Sequence, residues 1–177
     1  MKYIVQFLLV VFLIPFVSCG RTALEKTDDV QKNEKKEVRR KEIPEKEFNN
    51  IFVKENGLIV KDLYLTREDS SVVTSTNKPR PTEKVKLHLY LEGWSVKDGR
   101  VKVGASETIT ASNGMDILSM DDVFSKVPDL SEKGAKYIKL TAKITEPGTF
   151  DYFTVSFKVW DKASNASITG HYKLDMN

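Results

Sequence analysis

The stretch KVKLHLYLEG, residues 84–93, decides the fold. Val85, Leu87, Leu89 and Leu91 alternate with Lys84, Lys86, His88, Tyr90 and Glu92. Successive side chains of an extended strand point to opposite faces, so this segment has one apolar face and one wet face. That pattern predicts an antiparallel sheet laid over a core, not a helix.

The same two-residue period recurs on the C-terminal side. In KYIKLTAKIT, Ile138, Leu140, Ala142 and Ile144 share a face; in DYFTVSFKVW, Phe153, Val155, Phe157 and Val159 do so. In SITGHYKLDM the shared positions are Ile168, Gly170, Tyr172 and Leu174. Further strands are expected at Leu58–Thr66, Val72–Thr76, Arg100–Val103, Thr108–Ala111 and Asp116–Ser119, with a helical turn over Asp121–Lys126. The pairs in ENGL, KDGR and SNGM supply the positive φ of tight hairpins, and EPGT, at Pro147–Gly148, reads as a type II turn. Roughly eight or nine short strands at turn spacings of about 8–12 residues predict an all-β domain over 51–177. Its expected architecture is an antiparallel β-sandwich of immunoglobulin-like type, with a closed barrel as the alternative.

Upstream the composition changes. Residues 21–50 hold nine Lys or Arg and eight Asp or Glu with few apolar residues, which cannot offset the entropy of ordering. A flexible tether is expected over 19–50, reaching roughly 30 Å at 5–6 Å × √n. The basic cluster KKEVRRK lies in a segment, 21–50, whose acids bring its net charge to +1, so a solvated spacer is a better reading than a grip on anionic head groups.

Before the tether, Lys2 precedes the apolar run FLLVVFLI, residues 7–14, and the chain then reaches its single cysteine, Cys19, between Ser18 and Gly20. A positive start, a short apolar run and small residues make a secretory signal over 1–18, too short to span a membrane comfortably. FVSC, residues 16–19, resembles the lipobox of bacterial lipoproteins, in the looser form similar to that of Bacteroidetes and spirochaete members. The resemblance implies cleavage before Cys19, diacylation of its sulfur, and a membrane lipid as partner. Gly20, where Asp would retain the protein at the inner membrane, implies the outer membrane. Surface-exported members of that class tend to carry acids soon after the cysteine; the first acid here is Glu25, so the resemblance implies the periplasmic side over the cell surface. A lone thiol has no disulfide partner in an oxidising envelope but needs none as a lipid attachment point.

No catalytic signature emerges from the rest. His88 and His171 both fall on wet registers, and their spacing matches no metal-ligand pattern, so no metal or cofactor is expected. Gly-x-Ser-x-Gly is absent, and Asp116, Asp121, Asp122 and Asp129 lack the spacing of a calcium loop. Residues 51–177 carry eighteen basic and seventeen acidic side chains, which argues against nucleic acid as a partner. Aromatic residues remain. Tyr90, Trp94, Tyr152 and Trp160, with His171, are candidates for a wet face that stacks on sugars or forms a protein hot spot. The competing reading buries Trp94 and Trp160 at the ends of the core and pairs the tyrosines across strands. The expected function is non-catalytic: an envelope binding or assembly domain with a protein or glycan partner, or more narrowly a carbohydrate-binding module.

Overall fold

The computed structural model describes residues 43–75, 78–80, 82–145 and 150–175. The leader, Cys19, most of the expected tether and the Pro147–Gly148 turn lie outside them.

Eleven strands form: β1 (Glu45–Phe48), β2 (Ile51–Asn56), β3 (Ile59–Thr66), β4 (Lys84–Glu92), β5 (Arg100–Val101), β6 (Val103–Ala111), β7 (Asp116–Met120), β8 (Leu130–Ser131), β9 (Tyr137–Lys143), β10 (Tyr152–Asp161) and β11 (Ser167–Asp175). A six-stranded sheet runs β1-β2-β11-β10-β6-β7, a three-stranded sheet runs β3-β4-β9, and β5 pairs with β8. Every ladder is antiparallel. The two main sheets form an open sandwich, because β1 and β7 end the larger sheet and β3 and β9 the smaller.

The alternation in residues 84–93 does what its period demands. Val85, Leu87, Leu89 and Leu91 are at most 1 % exposed and face the inner side chains of β10 and β11 in one core cluster. Full burial of each such side chain is worth about 1.5–3 kcal/mol before entropy is counted. The core is not wholly apolar. Glu107, on the inward register of β6, and Tyr172, on that of β11, are each 1 % exposed, and Glu107 Oε1 and the Tyr172 hydroxyl have no hydrogen-bond partner among the described residues.

Several local expectations are corrected. Glu45–Phe48, placed in the tether, is strand β1: the Asn49–Asn50 turn, with φ of 48° and 65°, folds it back onto β2. Both positive angles belong to the two-residue hairpin that Asn tolerates. ENGL makes no hairpin, since β2 and β3 belong to different sheets and Gly57 lies at the crossing between them. Val72 makes an isolated bridge to Thr66 instead of starting a strand. Around Asp121–Lys126 the chain makes turns only, with the Asp122 carboxylate accepting from the Phe124 N–H at 2.9 Å. The short helix lies later, α1 (Glu132–Ala135), where Ser131 caps the Gly134 N–H.

Candidate binding face

The outward side chains of β3, β4 and β9 are set side by side by their register. Asp62, Tyr90 and Tyr137 form one row, Tyr64, His88 and Lys139 the next, and Thr66, Lys86 and Thr141 the third. The rings of the first two rows touch. Tyr64 stacks on His88 at 4.7 Å and on Tyr90 at 6.3 Å; Tyr137 lies 5.1 Å from Tyr90 and 5.9 Å from His88. Tyr90 and Tyr137 remain 37 % and 39 % exposed, so part of each side chain meets solvent.

Hydrogen bonds fix the tetrad. His88 bridges two hydroxyls, with Nε2 at 2.9 Å from Thr66 Oγ1 and Nδ1 at 2.7 Å from the Tyr137 hydroxyl. A neutral imidazole has one N–H and one bare nitrogen, so it donates to one hydroxyl and accepts from the other. Burial, reinforced by the positive charges of Lys139 and Lys86, lowers its pKa and keeps it neutral. The Tyr64 hydroxyl, hydrogen-bonded to Tyr90 and partly buried, is pushed up to about 12 and stays protonated. Burial raises the Tyr137 phenol as well. The result is a patch of four touching rings in which His88 ties Thr66 to Tyr137.

Charges ring it asymmetrically. Beyond the first row, Lys61 pairs with Glu92 at 3.0 Å. On the other side, Lys84 reaches Glu68 at 3.7 Å and Lys86 Nζ donates to the Glu68 carbonyl at 3.3 Å. Lys139 and Lys143, on the outward register of edge strand β9, have no carboxylate within ion-pair distance among the described residues.

The expected set of Tyr90, Trp94, Tyr152, Trp160 and His171 does not assemble on one face. Tyr90 alone belongs to the tetrad. Tyr152, Trp160 and His171 lie on the outward register of β10 and β11, on the opposite side of the sandwich, because the two strands belong to the other sheet. Trp160 covers the backbone of Gly104, where a Cβ would meet its indole at 2.2 Å, and Lys158 sits 5.5 Å from its ring. Lys173 lies 4.0 Å over Tyr152. His171 stacks on Phe52 at 5.1 Å and helps line a cleft of about 540 Å³ with Leu65, Val73, Pro79 and Lys173. Trp94, after β4, packs half-buried against the core, in keeping with the competing reading for that residue.

Sequence reasoning missed Tyr64 and Tyr137 and treated His88 as a solitary surface residue. Each stands on the wet register of its own strand, so the alternation carried the signal; the neighbour relation of β3, β4 and β9 did not follow from it. The two histidines lie in different sheets, and no group of three or more metal-ligating side chains occurs among the described residues. No helix among those residues is long and apolar enough to cross a membrane. No protein-family model matches the chain, and no curated protein is significantly similar to it.

Proposed function

We propose that the chain is an exported binding domain of a bacterial cell envelope, held at the periplasmic side of the outer membrane through acylated Cys19, which captures glycan on its β3-β4-β9 face. The observation that carries this is the four-ring patch of Tyr64, His88, Tyr90 and Tyr137, with Tyr90 and Tyr137 exposed and His88 hydrogen-bonded to Thr66 and Tyr137. A pyranose ring offers a flat C–H face to stack and a rim of hydroxyls, and this surface presents the complementary pair: open rings with hydroxyl and imidazole groups at their edge. Holding the rings in place beforehand reduces the entropy lost on binding. His88 acts as a bridge between two hydroxyls, which suits a scaffold better than a general base.

Full-length protein retained on purified envelope polysaccharide should lose affinity roughly tenfold or more in Tyr90→Ala/Tyr137→Ala, at 0.5–1.5 kcal/mol for each ring contact removed. Undiminished retention of that double variant refutes the reading. For the anchor, Cys19→Ala should abolish incorporation of labelled fatty acid and release the protein from membranes.

A second reading, assembly with an envelope protein, draws on a different observation. Met115, Ile117 and Leu118 are exposed at or beside β7, an edge strand of the larger sheet. An apolar edge strand is a template for pairing with another chain. In-cell crosslinking from position 117 that recovers one dominant partner would support it.

A further inference from the structure

We propose that the ligand of the β3-β4-β9 face is an extended acidic glycan, its sugar rings stacked on Tyr90 and Tyr137 and its carboxylate or phosphate groups held along β9 by Lys139 and Lys143. The inference rests on the glycan reading above and adds the charge and the direction of the chain.

Register supplies the direction. Tyr137, Lys139, Thr141 and Lys143 are the outward residues of β9, the strand that ends the three-stranded sheet. At about 3.4 Å per residue, Lys139 lies about 7 Å from Tyr137 along the strand, and Lys143 about 14 Å further on. A single sugar cannot reach from the rings to both cations, whereas a polymer with repeated acid groups can follow the row. Charge supplies the sign. Lys84 stands across from Lys143 and Lys86 from Thr141, so among the described residues the strand positions of the half away from the tetrad are basic, and Glu68 is already engaged with Lys84. Burial is the larger cause of the lowered pKa of His88, and the positive charges of Lys139 and Lys86 add to it. Asp62, at the far end of the tetrad in the row of Tyr90, disfavours an acid group there and fixes which end of the site receives the charge. Lys61 and Glu92 neutralise each other beyond it.

The test uses full-length protein with three probes: alginate as a polyuronate, dextran as a neutral glycan, and inorganic polyphosphate as a polyanion without sugar rings. Alginate should bind best, and its affinity should fall as salt rises, because exposed charges are screened over about 8 Å at physiological ionic strength. Lys139→Gln/Lys143→Gln should weaken alginate binding about three- to tenfold while leaving dextran binding unchanged, the range expected for two exposed ion pairs. Tyr90→Ala/Tyr137→Ala should weaken both glycans and leave polyphosphate unaffected. Equal binding of dextran and alginate, insensitive to the lysine changes, overturns the acidic assignment but leaves the glycan reading standing. Polyphosphate binding as tight as alginate, indifferent to the tyrosine changes, means ion exchange alone and overturns both. The four substituted side chains are exposed, and thermal unfolding of each variant at the wild-type temperature confirms that losses belong to the face.

Discussion

Replacing Glu107 with glutamine should make the protein more stable at alkaline pH and remove much of its pH dependence near neutrality. Glu107 is 1 % exposed on the inner face of β6, and burial pushes its carboxyl up to about 7 from the ordinary 4.5. The folded state therefore keeps this proton up to about 7, while the unfolded state releases it near 4.5. Between those values the folded protein holds more protons, so the stability linked to Glu107 is complete below about 4.5 and is lost as pH rises through 7. The gap of about 2.5 pH units, at 1.36 kcal/mol each, is worth about 3 kcal/mol. Glutamine has nearly the same shape and resembles the protonated acid at every pH. Glu107→Gln should thus match the wild type near pH 4.5 and exceed it by about 3 kcal/mol near pH 8.

Urea unfolding followed by the fluorescence of Trp94 and Trp160, at several pH values across that window, measures the difference directly. Subtracting the variant's curve from the wild type's cancels His88, whose lowered pKa gives stability the opposite slope. Parallel curves for the two proteins from pH 5 to pH 8 would refute the buried-acid reasoning.

The glycines opposite aromatic rings give a second comparison. A Cβ at Gly170 would stand 2.5 Å from both the Phe157 ring and the Phe52 carbonyl oxygen, whereas at Gly104 its nearest atoms belong to Trp160 on the outer face. Gly170→Ala should cost about 1–3 kcal/mol, and more than Gly104→Ala, because backbone cannot swing aside as an outer indole can; chemical denaturation ranks the two. Asp161 is fully buried and accepts from the Ser95 N–H at 2.8 Å, the Ala163 N–H at 2.8 Å and Ser164 Oγ at 2.9 Å. Asp161→Ala leaves those donors short of a partner and should destabilise by at least about 1–3 kcal/mol. Burial opposes ionisation of Asp161, but the hydrogen bonds from Ala163 and Ser95 outweigh it and lower the pKa. Its stabilisation is accordingly present above the unfolded value and lost as pH falls through the lowered folded one, so the advantage of wild type over Asp161→Asn should shrink in acid. Removing the Tyr172 hydroxyl, which has no hydrogen-bond partner among the described residues, with Tyr172→Phe should leave stability unchanged or raised in the same assay.

Strands long enough to show a two-residue period were legible in the sequence. Residues 84–92, 137–143, 152–161 and 167–175 are strands with the inward residues that the alternation assigned. Pieces too short to establish a period were not: β5 and β8 are two residues each, and β1 reads EKEF, a charged segment whose pairing is imposed by the hairpin after it. Tertiary context also overrode turn chemistry at Gly57, which serves a crossing between sheets. For the binding face, Tyr90 was legible as a wet aromatic because its parity within β4 is local information. Its companionship with Tyr64 and Tyr137 was not, since it depends on strands 26 and 47 residues away pairing on either side of β4. Glu107 shows the same limit from the other direction: its parity in VGASETITA points inward once β6 is known to run unbroken from Val103 to Ala111.

If Tyr64, His88, Tyr90 and Tyr137 form the ligand-binding face, an aromatic side-chain NMR titration of the full-length protein with acidic polysaccharide will show it. The ring signals of those four residues should move together and saturate, while Tyr152, Trp160 and His171 on the opposite sheet stay in place. Movement confined to Tyr152, Trp160 and His171, or none in the tetrad at concentrations where the glycan is bound, would contradict it.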